Sequence, residues 1–165
     1  MDIYLIRHGA AVDLDTEIVE EGFRYLNNEG RRQTEDVART LKKLKTKFDV
    51  IFSSPLVRAV QTAEIFAGVL NHKGEIKTTI ELIGGHSPVK FRSLIHRNTR
   101  YKSIACIGHA PDVYNFGAGL INNENKKPKI HFHNSSVLKI DYDTVNESGR
   151  FVYFLESDTM KIIEE

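Results

Sequence analysis

Short β-prone apolar runs alternate with stretches of helical period along most of this chain, and that alternation narrows its fold more than any other feature. Ile3-Tyr4-Leu5-Ile6, Asp49-Val50-Ile51-Phe52, Glu75 to Ile80 and Ser103-Ile104-Ala105-Cys106-Ile107 are short, and each reads as a strand. From Gly30 onward Thr34, Val37, Ala38, Leu41 and Leu44 recur at helical spacing, while Arg32, Glu35, Asp36, Lys42 and Lys43 take the other faces. Ser53-Ser54-Pro55 predicts a helix start, with Ser54 as N-cap and Pro55 preset for the first helical position. Leu56, Ala59, Val60, Ala63, Ala67 and Leu70 continue that helix. Further helices are predicted from Pro88, after a Gly84-Gly85 turn, and from Pro111 toward Leu120. Ser136 to Tyr142 and Phe151 to Leu155 alternate as strands around a turn near Asn146 to Gly149. The polar stretch Asn122 to Lys129 reads as an exposed loop, and 161–165 as a tail. The pattern predicts an α/β fold with a mainly parallel sheet, partly antiparallel at its final strand pair. Its 165 residues suit a single domain over 1–165.

Charge excludes some partners. Twenty-three basic and 22 acidic side chains nearly cancel, which speaks against a general nucleic-acid or membrane-surface binder. Lys126, Lys127 and Lys129 read as a solvated run. One cysteine, Cys106, permits no internal disulfide, and its place inside an apolar strand marks it as a buried small residue. No secretory leader and no apolar run of membrane-spanning length is visible, so the expected setting is the cytoplasm, with a monomer as the expected state.

The chemistry gathers at strand ends. In open α/β sheets ligands bind beyond the carboxyl ends of the strands, where loops and helix N-termini converge. Arg7-His8-Gly9 follows the first strand, Ser53 to Arg58 the second, and Gly108-His109-Ala110-Pro111 the fourth. With these strands parallel, two arginines and two histidines share one edge without an evident metal-ligand set. Such a pocket suits phosphate, since guanidinium forks match its oxygens and helix N-termini add amide donors.

The same residues carry a resemblance. Arg7-His8-Gly9, the run Ser54-Pro55-Leu56-Val57-Arg58-Ala59-Val60-Gln61-Thr62-Ala63 and Gly108-His109 resemble the three signatures of the histidine phosphatase superfamily. The branch most resembled is that of the SixA-like phosphohistidine phosphatases, to which Leu26 to Gln33 and Arg24 are also similar. The resemblance implies a three-layer α/β/α sandwich of the phosphoglycerate mutase-like kind, with a mainly parallel, mixed central sheet. Its first and fourth strands would be adjacent, putting His8 beside His109. It further implies a metal-independent phosphatase without cofactor. His8 is the expected nucleophile, and Arg7, Arg58, His109 and the amide of Ala110 the expected phosphate-binding groups.

The substrate implied is phosphohistidine on a protein partner. A second reading, with a small phosphorylated metabolite or phosphoserine/threonine as substrate, needs a leaving-group acid, for which Glu81 is the candidate. A third is a catalytically silent phosphate-binding domain. Asp13, Asp15, Glu17, Glu20 and Glu21 form an acidic loop after the nucleophile, read as solvated or as repelling acidic substrates. His131 and His133 are read as surface histidines, with facing a ligand as the alternative, and His86 after Gly84-Gly85 as a candidate for the pocket border.

Overall fold

The structure is a computed structural model that describes residues 1–14, 20–121 and 130–164. Its elements are β1 (Asp2–Arg7), α1 (Asn28–Lys43), β2 (Val50–Ser53), α2 (Val57–Leu70), β3 (Glu75–Thr78), α3 (Pro88–His96), β4 (Ser103–Gly108), α4 (Asp112–Leu120), β5 (Val137–Asp143), β6 (Ser148–Leu155) and β7 (Ile162–Glu164). Two short 3-10 turns, Glu21–Phe23 and Ile80–Leu82, lie between them.

The strands form one sheet in the order β3-β2-β4-β1-β5-β6-β7. The first four run parallel; β5 pairs antiparallel with β1, and β6 and β7 follow antiparallel. In the β1–β4 register Arg7 faces Gly108, so the residues that follow each strand, His8 and His109, leave the sheet side by side.

Alternation along the strands builds two cores. Ile3, Leu5, Phe52, Ile104 and Cys106 face Phe91, Ile95, Val113 and Phe116 of α3 and α4. Tyr4, Ile6, Ile51, Ala105 and Ile107 face Val37, Leu41, Ala63 and Phe66 of α1 and α2. The result is an α/β/α sandwich. Burial outweighs local preference in α2: Val57, Val60 and Ile65 are modest helix formers, but a fully buried Phe66 alone is worth about 2–3 kcal/mol against exposure. Among the described residues, no helix is long and apolar enough to cross a membrane.

Two local expectations are corrected. Ser54 does not cap α2: Leu56 takes the N-cap position, and Ser54 Oγ accepts the Leu56 amide at 3.3 Å and shares a hydrogen bond with His109. The helix begins at Val57, past Pro55. The expected tail instead holds edge strand β7, paired with β6, because Ile162 and Ile163 find apolar cover on opposite faces of the sheet. The third strand ends at Thr78, and Ile80 and Glu81 enter a 3-10 turn. Asp15, Glu17, Lys126, Lys127 and Lys129 lie outside the described residues.

Candidate active site

A cavity of about 600 Å³ opens at the carboxyl edge of the parallel strands, lined by Arg7, His8, Arg58, His109, Ala110, Asn134 and the rim residues Asp13, Glu21 and Arg24 among others. The four side chains predicted for the centre therefore meet. The rings of His8 and His109 are 4.9 Å apart between centroids.

His8 is built from its neighbours. Its Nδ1 lies 2.7 Å from the carbonyl oxygen of Gly9. A carbonyl only accepts, so Nδ1 carries the proton and Nε2 carries the lone pair. Nε2 in turn lies 3.4 Å from Arg58 Nε, which donates toward it. Desolvation by burial is the main force that pushes the His8 pKa down to about 3; the Gly9 bond opposes it, and His109, Arg58 and Arg7 add to it. His109 is pushed down to about 4, again chiefly by desolvation, then by Arg58, against the pull of Asp112 and Glu21. Both imidazoles are neutral at neutral pH.

Backbone packing fixes the turn that carries His8. The Gly9 amide donates to Thr62 Oγ1 at 3.0 Å, and that hydroxyl donates to the Arg58 carbonyl at 2.7 Å. A Cβ on Gly9 would stand 2.6 Å from Thr34 Oγ1, and one on Gly30 would stand 2.0 Å from the Ala10 carbonyl oxygen. Gln61 Oε1 accepts the Leu26 amide at 2.7 Å, tying α2 to the segment before α1. The threonine, glutamine and glycines of the motifs thus hold the turn in place.

Each arginine spends part of its fork on protein. Arg7 Nη1 donates to the Phe132 carbonyl at 2.6 Å. Arg58, with its side chain 7% exposed, gives Nη1 to the Glu21 carbonyl at 2.9 Å and Nη2 to Glu21 Oε1 at 2.7 Å. His109 Nε2 and Ser54 Oγ are 2.8 Å apart. Buried Asp112 accepts the Gly85 amide at 2.6 Å, fixing the Gly84-Gly85 wall.

Other candidates lie elsewhere. Glu81 is absent from the cavity wall: its carboxylate accepts from Thr79 and, at 2.5 Å, from Arg97. The Thr79 bond, with Arg97, holds its carboxyl below the usual range against a smaller effect of burial. His131 and His133 pack on each other at 4.6 Å, and His133 Nδ1 sits 3.0 Å from Asp158 Oδ2. Neither they nor His86 lines the cavity. Cys106 is fully buried, and burial pushes its thiol pKa far up. Among the described residues, no group of three or more His, Cys, Asp or Glu side chains could hold a metal ion.

Two lining residues were not read from the sequence in the roles they take. Asn134 Nδ2 donates to the His8 carbonyl at 3.0 Å, and Glu21 engages Arg58. Asn134 precedes Ser135, whose φ is 64°; an Asn-Ser-Ser turn ahead of a strand was the available signal.

A neutral histidine flanked by guanidinium groups at the carboxyl edge of an α/β/α sandwich suits a phosphoryl group. Residues 3–83 match the family model of the histidine phosphatase superfamily (branch 1). That region, just under half of the chain, holds Arg7, His8, Gly9 and Arg58 and is similar to the histidine phosphatase superfamily. A 67-residue stretch is 45% identical to an uncharacterized protein of Picosynechococcus sp. (strain ATCC 27264 / PCC 7002 / PR-6), covering 41% of this chain and 40% of that relative's length.

Solved structures extend the likeness of fold over almost the whole chain. The protein histidine phosphatase SixA complexed with tungstate superposes with a TM-score of 0.87 at 24% identity, covering 98% of this chain and all of that one (100%). The putative phosphohistidine phosphatase SixA from Agrobacterium tumefaciens gives 0.78 at 22% identity, covering 94% of this chain and 97% of that one. Phosphoserine phosphatase in complex with 3-phosphoglyceric acid from Entamoeba histolytica gives 0.67 at 20%, covering 93% and 95%. The expected sandwich and its mixed, mainly parallel sheet are therefore those of the SixA structures.

Proposed function

We propose that this chain is a phosphatase that carries the phosphoryl group on His8 and acts on phosphohistidine of a protein partner. The observation that carries the reading is the proton arrangement of His8. Its Nδ1–H is committed to Gly9, and the lone pair on Nε2 is offered beside Arg58. In the proposed reaction Nε2 attacks phosphorus in line, the bond from phosphorus to the leaving group breaks, and water then hydrolyses the phosphohistidine. Arg7, Arg58 and His109 stabilise the equatorial oxygens, with the Ala110 amide as a further donor. No step calls on a metal or cofactor. A histidine phosphatase domain over residues 1–165, acting as a monomer in the cytoplasm, belongs to the same proposal.

The position of Glu81 supports phosphohistidine over alkyl phosphates. An alkoxide needs a proton from an acid, whereas imidazole protonated on its distal nitrogen leaves neutral without one. Glu81 is turned to Thr79 and Arg97. Glu21 lines the cavity, but its carboxyl is held below its ordinary range: desolvation raises it, and the Arg24 bond with the Arg58 and Arg24 charges outweighs that.

Phosphate release from phosphohistidine, phosphoserine and a sugar phosphate, each in EDTA, tests the proposal. Phosphohistidine should show the highest kcat/KM, and Glu81→Gln should change it by less than about threefold. Preference for an alkyl phosphate that Glu81→Gln abolishes, loss of activity on chelation, or no hydrolysis of any substrate would overturn it.

A further inference from the structure

The cavity is cationic at its floor and acidic at its rim. Glu21 reaches from the 3-10 turn onto Arg58 at 2.7 Å, and its second oxygen accepts from Arg24 Nη1 at 3.1 Å. Arg24 Nε is given to the Val12 carbonyl at 2.7 Å, and Asp13 Oδ1 stands 4.0 Å from Arg24 Nη2. Arg24 is thus engaged by two carboxylates and a carbonyl. Asp13, Glu21 and Arg24 all line the same cavity as His8. A phosphoryl group bound by Arg58 meets the Glu21 carboxylate across a single guanidinium.

We propose that Glu21 is a specificity-determining residue that favours phosphoryl groups on neutral or cationic leaving groups, such as phosphoimidazole, and disfavours those whose carrier bears a second anion, such as phosphoglycerate. The inference rests on the reading of His8 as phosphoryl acceptor. Every substrate brings a phosphoryl group, so repulsion between that group and Glu21 is common to all. A second carboxylate adds a repulsion of its own, and it also finds Arg24, the nearest rim cation, already neutralised. A protonated imidazole is instead attracted to the rim.

The test compares kcat/KM for phosphoimidazole, an aryl phosphate and 3-phosphoglycerate in wild type, Glu21→Gln and Glu21→Asp. In Glu21→Gln the ratio of phosphoglycerate to aryl phosphate should rise about tenfold, and that of phosphoimidazole to aryl phosphate should fall. Glu21→Asp keeps the charge and should keep both ratios within about threefold of wild type. Equal changes on all three substrates, or Glu21→Asp behaving as Glu21→Gln, would make Glu21 merely structural and overturn the proposal. Binding of inorganic phosphate and 3-phosphoglycerate to His8→Ala, with and without Glu21→Gln, separates this from the catalytic reading. A shifted binding ratio without wild-type turnover would sustain the rim and sink the reaction; an unshifted ratio would sink the rim.

Discussion

His8 and His109 are neutral because burial makes their charged forms costly and because cations surround them. A pKa depressed in the folded protein means that protons are taken up only at acid pH, so the lone pair of His8 survives as pH falls through the ordinary histidine value of 6.5. With His8 near 3 and His109 near 4, kcat/KM corrected for substrate ionisation should show no loss around pH 6.5 and should fall only near pH 4. A pH profile with an inflection at 6.5 would mean that the site is wetter than its packing implies. At this scale, too, Arg58 explains itself: it holds a donor toward His8 Nε2 while Glu21 fixes the rest of its fork.

At the scale of elements, the site depends on how closely α1 approaches the turn after β1. Asn27 caps α1 by accepting the Gly30 amide at 2.8 Å, and Gly30 lies against the Ala10 backbone. A methyl group there meets backbone atoms that cannot yield without moving the segment that follows His8. Gly30→Ala should therefore cost about 1–3 kcal/mol of stability and lower kcat as well. Gly68→Ala in α2 is the control. Its Cβ meets nothing within 4 Å, so it should be neutral or stabilise by up to roughly 1 kcal/mol, with turnover unchanged. Denaturant midpoints and kcat for both variants check this, and equal behaviour of the two would contradict it.

The elements also show where sequence reading succeeds. Strand ends were legible because a short apolar run followed by Arg7-His8 or Gly108-His109 locates a side chain relative to a parallel sheet. Ser54 is not the cap because its hydroxyl accepts the amide of Leu56, itself the N-cap, and also bonds His109, 55 residues away in the chain. Strand β7 was missed because Ile162 and Ile163 are only two apolar residues whose partners sit in β6 and the cores. Glu21 stood out only as one acid among several; its distinction is a contact with Arg58 that spacing does not encode.

For the whole molecule, the order β3-β2-β4-β1 gathers the chemistry. β1 delivers His8, its parallel neighbour β4 delivers His109, and β2 on the other side of β4 leads through Ser54 to α2 and Arg58. Three chain segments far apart in sequence meet at one edge, and the two cores hold that edge in register. The reaction proposed for this site requires a covalent bond at that meeting point. Wild-type protein mixed with phosphohistidine and quenched within milliseconds should carry phosphate on His8, stable in base and labile in acid, and His8→Ala should carry none and turn over nothing. Near-normal turnover by His8→Ala, or a trapped phosphate on any other residue, would contradict it.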